Sequence, residues 1–93
     1  TKQPIGNIID LSESGMMIAA NKVVVPDALF QFDLNFPNQY IATNTIRVGA
    51  QELWTVTNTR TNQSEIGFRF IDVAQSDRVW IRNWVNEPGS KYA

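Results

Sequence analysis

The sequence contains no cysteine and no histidine. Disulfide scaffolds, Cys/His zinc sites, thiol catalysis and any histidine-based triad are therefore excluded within this chain. Long apolar runs are missing as well, since Val23-Val24-Val25 and residues 15–20 are far too short to span a bilayer. Nothing at the N-terminus resembles a signal peptide. No charge sign dominates: 8 Lys+Arg stand against 9 Asp+Glu, for a formal net charge of -1. Such a chain has no whole-molecule field to attract DNA, RNA or a membrane surface, so an anionic ligand would have to be held by local groups. The lack of cysteine fits a cytoplasmic setting. What is present is globular composition, 43% hydrophobic and 18% charged in 93 residues, enough for a single domain spanning 1–93.

Period-two alternation dominates the chain. Over residues 29–36 the even positions Phe30, Phe32, Leu34 and Phe36 are large and apolar, while Gln31, Asp33 and Asn35 point the other way. Ile66, Phe68 and Phe70 repeat the design. Across residues 45–57 the alternation places Ile46, Val48, Ala50, Trp54 and Val56 on one face, and Glu52 interrupts it. A bulge or strong bend is expected near residues 49–52, and Trp54 is assigned to the core, with a barrel-rim position facing a ligand or partner as the alternative. Two shorter strands, 7–11 and 16–20, flank the turn composition Ser12-Glu13-Ser14-Gly15.

Helical period occurs only near the end. From 76 to 86, Trp80, Ile81, Trp84 and Val85 form one stripe, with Arg78, Arg82 and Asn86 on the opposite, wet face. Ser76 is the expected N-cap, Asp77 suits the positive end of the dipole, and Pro88-Gly89 stops the helix. Residues 88–93 read as a flexible tail. The expected fold is all-β: a small antiparallel Greek-key-like β-barrel of about five to six strands with one C-terminal α-helix.

Only one motif carries chemistry. Asp10 and Ser12, two apart at a strand end, send a carboxylate and a hydroxyl to the same side of the chain. Gly15 allows a left-handed turn and close backbone approach. A carboxylate beside a hydroxyl suits an edge bearing two N–H donors, such as the Watson–Crick edge of guanine. The plainer alternative is that both side chains bond their own backbone and merely shape the loop. Asn62-Gln63-Ser64 fits a glycosylation acceptor pattern and reads as chance.

Asp10-x-Ser12-x-x-Gly15, followed by Met16-Met17-Ile18, resembles the second signature of the PilZ family. Residues 29–37, then Ile46-Arg47-Val48-Gly49-Ala50 with Leu53-Trp54-Thr55-Val56, resemble its middle strands. Ile66-Gly67-Phe68-Arg69-Phe70-Ile71 resembles its closing strand, and Ser76-Asp77-Arg78 opens a following helix as in the family. The resemblance runs from about residue 4 to 85. It implies a six-stranded barrel with a terminal helix that senses the bacterial second messenger cyclic di-GMP, in settings such as motility, surface adhesion, biofilm and exopolysaccharide regulation. It implies that Asp10, Ser12 and Gly15 form one wall of the ligand site. Arg69, alternating away from Phe68 and Phe70, is a further candidate, with an ordinary solvated strand charge as the alternative.

The family's R-x-x-x-R loop, which supplies cations for phosphate and guanine, has no counterpart in residues 1–9, where Lys2 is the basic residue. The chain is thus expected to lack that loop and the first strand, either as a fragment or as a variant without the anion clamp. Two functions follow. One is a cyclic di-GMP sensor that relays the signal to a neighbouring domain or partner protein. The other is a nucleotide-silent protein–protein interaction module. No catalytic residue, metal site or resident cofactor is expected, because no Gly-rich phosphate loop, metal-spaced cluster or reasoned carboxylate pair exists.

Overall fold

The computed structural model describes residues 5–21, 25–37 and 43–86. Five strands precede one helix: β1 (Asn7–Leu11), β2 (Gly15–Ala20), β3 (Leu29–Pro37), β4 (Thr43–Asn58), β5 (Gln63–Asp72) and α1 (Gln75–Val85). Every pairing is antiparallel, in the order β1-β2-β5-β4-β3. β3, β4 and β5 form a meander, and β2 lies beside β5 rather than beside β3, which is Greek-key topology. The sheet curls into a half-barrel with β1 and β3 at its two edges.

The expected inward residues line the concave face. Phe32, Leu34 and Phe36 of β3, Ile46, Val48 and Ala50 of β4, and Ile66, Phe68 and Phe70 of β5 are all buried. Aromatic rings interlock there: Phe32 meets Phe68 edge-on at 5.0 Å between centroids, and Phe30 stacks on Phe32 at 5.4 Å. Such pairs add about 0.5–1.5 kcal/mol each beyond area burial, and the Phe32–Phe68 contact reaches across β4 to tie β3 to β5 on the concave face.

α1 completes the core. Ile81 and Val85 are buried, and Trp80 and Trp84 pack beside them against Phe36, each at 5.0 Å between ring centroids. The helix begins two residues earlier than a cap at Ser76 would give. Its N-cap is Ala74, with no side-chain cap bond, so Ser76 is not the cap and lies inside the first turn. Asp77 sits in that turn, where it complements the dipole. Helical structure ends at Val85 with Asn86 as C-cap, and the expected stop at Pro88-Gly89 and the tail lie outside the described residues.

Arg78 and Arg82 are not merely solvated. Arg78 Nη1 donates to the Glu13 carbonyl oxygen at 3.0 Å, and Arg82 Nε donates to Glu13 Oε2 at 3.2 Å. Two arginines one helical turn apart therefore hold the β1–β2 turn from the helix side. Since Trp80 and Trp84 reach Phe36 on the opposite edge strand, α1 bridges the two edges of the half-barrel.

The bulge expected in β4 is present, and it overturns part of the facing assignment. Register shifts occur between Gly49 and Ala50 and between Glu52 and Trp54. Glu52 opposes Phe68 and stays inward, Leu53 is the extra residue, and Trp54 then opposes Gly67 on the outer face. Trp54 and Val56 are consequently exposed, at 42% and 61%, instead of belonging to the core. The buried carboxylate is fully employed. Glu52 Oε1 accepts the Asp27 backbone N–H at 3.1 Å, and Oε2 accepts the Thr55 hydroxyl at 2.7 Å. Its own N–H donates to the Ala28 carbonyl oxygen at 3.0 Å. Glu52 thereby fixes the Val25-Pro26-Asp27-Ala28 turn, whose Asp27 has φ 61°. That geometry is a type II turn with Pro at its second position, closed by the Ala28 N–H donating to the Val25 carbonyl oxygen at 3.1 Å. At the β4–β5 hairpin, Asn62 has φ 58° and its N–H donates to the Asn58 carbonyl oxygen, a conformational role for the residue of the apparent glycosylation pattern.

Glu52→Ala is expected to lower stability by about 2–3 kcal/mol in urea unfolding, because it strands partly buried donors. Glu52→Gln, which can still accept from Asp27, is expected to cost less than half as much. Arg78→Ala is expected to cost about 1–2 kcal/mol and to speed amide exchange across residues 12–15, since it removes a charged donor from a backbone carbonyl. Glu13→Ala removes only the exposed pair with Arg82 and is expected to cost under about 1 kcal/mol.

Candidate functional site

A second bulge governs the site. In β1, Ile8 opposes Ile18 whereas Asp10 opposes Met17, so Ile9 is the extra residue. Strict alternation from Ile8 would turn Asp10 into the core. With the bulge, Asp10 faces outward and Leu11 takes the inward position, 4% exposed. Bulges commonly re-aim a side chain in this way beside a binding site.

The turn after β1 is tight and self-bonded. The Ser12 N–H donates to the Gly15 carbonyl oxygen at 2.9 Å, and the Ser14 N–H donates to Ser12 Oγ at 3.3 Å. Ser12 Oγ also lies 3.1 Å from Ser14 Oγ. The Leu11 N–H donates to Asp10 Oδ1 at 3.0 Å. Asp10 and Ser12 thus bond and shape their own backbone, as the plainer alternative has it, and both remain exposed on the outer side. Gly15 leaves space that matters, because a Cβ there would sit 2.3 Å from the Phe68 carbonyl oxygen. No other residue type lets β2 approach β5 so closely at this point.

The pairing register brings four residues into one row across the outer face. Asp10 opposes Met17, Met17 opposes Gly67, and Gly67 opposes Trp54. A groove of about 220 Å³ follows this row, with Asp10 and Ser12 at one side, Met17 and Gly67 along the floor, and Leu53 and Trp54 at the other side. Trp54 lies directly against Gly67: a Cβ on Gly67 would be 2.4 Å from the indole Nε1 and Cε2. The structure brings Asp10, Ser12 and Gly15 together beside this groove, and it places Trp54, assigned to the core with an outward rim position as the alternative, on the outer face. The signal was available in Glu52, whose charge inside an apolar alternation already located the bulge that turns Trp54 outward.

Arg69 occupies the next row, opposite Gly15 on one side and Gln51 on the other. It is exposed, and its Nη2 donates to Gln51 Oε1 at 2.6 Å. A cation therefore stands beside the groove, on the same face as Asp10, with an uncharged partner.

Among the described residues, no helix is long and apolar enough to cross a membrane. No curated protein and no solved structure matches the chain. The PilZ domain model, in contrast, matches residues 2–87, which takes in all five strands, the Asp10-x-Ser12-x-x-Gly15 turn and α1. The chain belongs to the PilZ domain family, whose members are in general cyclic di-GMP-binding effector domains rather than catalytic ones.

Proposed function

We propose that this domain binds cyclic di-GMP and relays its level to a neighbouring domain or partner protein in the bacterial cytoplasm, without catalysis of its own. The observation that carries this reading is the outward placement of Asp10 and Ser12 at the lip of the groove. A guanine edge offers two adjacent N–H donors, and a carboxylate with a hydroxyl beside it accepts them with charge-assisted strength. Gly15 holds the turn against β5, and Arg69 stands in the adjoining row, where a phosphate can be met. Glu13 lies within the same turn and is held by Arg78 and Arg82, so a ligand that reshapes the turn acts directly on α1. Motility, surface adhesion with biofilm formation, and exopolysaccharide regulation are the settings this reading suggests.

A second reading is favoured by a specific observation: the outer face exposes Leu29, Leu53 and Val56. A surface of that kind suits a nucleotide-silent protein–protein module.

Calorimetric titration of the full-length protein with cyclic di-GMP separates the two. Saturable binding is expected, weakened by about tenfold or more in Asp10→Ala and in Ser12→Ala, the loss that follows from removing one charged or one well-placed acceptor. Absence of binding by the full-length protein overturns the sensor reading and leaves the interaction module.

A further inference from the structure

We propose that Arg78 of α1 is a positioning residue for the ligand site: by holding the Glu13 carbonyl group it sets where the Ser12 hydroxyl stands. The inference rests on the cyclic di-GMP reading above and gives the helix a part in that site, through a residue outside the Asp10-x-Ser12-x-x-Gly15 signature. It starts from how little else fixes the two proposed acceptors. Hydrogen bonds of the Asp10 carboxylate and the Ser12 hydroxyl stay within three positions along the chain, on the Leu11 N–H, on Ser14 and on the Gly15 carbonyl oxygen. Both residues are exposed. They are therefore only as well placed as the turn that carries them, and an exposed turn opens readily unless it is anchored.

The turn is anchored from three directions. Its own Ser12 N–H donates to the Gly15 carbonyl oxygen at 2.9 Å, and the Phe70 N–H of β5 donates to the Ser14 carbonyl oxygen at 2.9 Å. Arg78 Nη1 donates to the Glu13 carbonyl oxygen at 3.0 Å from the helix side.

This third anchor has a particular target. The Glu13 carbonyl and the Ser14 N–H belong to one planar peptide unit and point to opposite sides of it. That N–H donates to Ser12 Oγ at 3.3 Å. Guanidinium and hydroxyl are thus attached to the two ends of one rigid plate, and the tilt that Arg78 imposes decides whether Ser12 Oγ is gripped. A positive charge on the carbonyl also polarises the unit, which strengthens its N–H as a donor.

Arg78 suits the task because its base is rigid. Its own N–H donates to the Ala74 carbonyl oxygen at 3.0 Å, and Ile81, close to one turn further on, is fully buried. Arg82 differs. It takes a side-chain oxygen of Glu13 at 3.2 Å, which leaves the peptide unit free to tilt, and both groups are nearly half exposed.

The test is calorimetric titration of the full-length protein with cyclic di-GMP, repeated for Arg78→Ala, Arg78→Lys, Arg82→Ala and Ile81→Val, with circular dichroism and thermal unfolding recorded for each. Arg78→Ala is expected to bind about fivefold more weakly, since its turn occupies the competent form for only part of the time. Arg78→Lys keeps a charged donor for a single acceptor and should recover to within about twofold of the unaltered protein. Arg82→Ala should also stay within about twofold. Ile81→Val loosens the same helix from the core and leaves Arg78 in place. It should lower thermal stability and still bind within about twofold, which separates positioning by Arg78 from general destabilisation. Linkage supplies a second readout: saturating ligand should slow amide exchange at residues 79–85 in the unaltered protein and not in Arg78→Ala. Folded Arg78→Ala with unaltered affinity, Ile81→Val weakened as much as Arg78→Ala, or ligand protection of the helix that survives in Arg78→Ala overturns this inference and leaves the cyclic di-GMP reading standing. An unaltered protein that does not bind overturns both.

Discussion

A pleated strand delivers successive side chains to opposite faces, so the placement of every group on this sheet depends on where that alternation is interrupted. It is interrupted at Ile9 in β1 and at Leu53 in β4, on either side of the β2–β5 pair. At Ile9 the hydrophobic effect and the cost of burying charge act together. Without the bulge Asp10 would enter the core beside Met16 and Phe68 while Leu11 faced water, and an unpaired buried carboxylate costs several kcal/mol. At Leu53 the two effects oppose each other, since Glu52 is kept inside and Trp54 is turned out. The balance holds because Glu52 engages three hydrogen bonds with the 25–28 turn and Thr55. The indole also recovers part of its burial by lying over Gly67.

The same economy of contacts governs the helix. A curled five-stranded sheet leaves β1 and β3 as separate edges, and an open apolar concavity between them must be covered. α1 covers it with Ile81 and Val85 and reaches both sides, through Phe36 on one and Glu13 on the other. Of the two arginine contacts, the one from Arg78 matters more. Its acceptor is a backbone carbonyl in a partly buried place, whereas Arg82 and Glu13 are each nearly half exposed and screened by solvent. Helix and signature turn are thereby tied to each other through Glu13.

Much of this was legible in residue order. The alternation of Phe30 to Phe36 and of Ile66 to Phe70 needs no tertiary information, because each strand separates its faces by chemistry alone. The site of the β4 bulge was legible too, from one glutamate in an apolar series. Its consequence was not, for a bulge announces itself by a misplaced residue but does not say on which side of that residue the extra one is inserted. Placing it after Glu52 rather than before decides the fate of Trp54 and Val56. Likewise, Arg78 and Arg82 look like solvated charges on a helical wheel, since their partner lies 65 and 69 residues away in sequence. The absent cap at Ala74 has a comparable origin: packing of Ile81 and Val85 stabilises the helix without a local start signal. The outward turn of Asp10 was reached through resemblance to a family, and the structure supplies its cause in Ile9.

Charge bookkeeping on the outer face bears on how a dianionic dinucleotide would be held under the proposed reading. Among the described arginines, Arg47 faces Asp33 at 3.1 Å and Arg82 faces Glu13 at 3.2 Å, so each already has an anion. Arg78 is engaged by a backbone carbonyl of the turn. Arg69, bonded to the neutral Gln51 and lying one row from the groove, is the described cation best placed for a phosphate. One exposed arginine contributes about 1.5–3 kcal/mol through a charged hydrogen bond, and solvent screening reduces that further. In a site built on several arginines the phosphates would dominate. Under the proposed reading Arg69 would meet a phosphate while Asp10 and Ser12 would accept the base edge, so the described residues would share the two tasks across adjoining rows of the outer face.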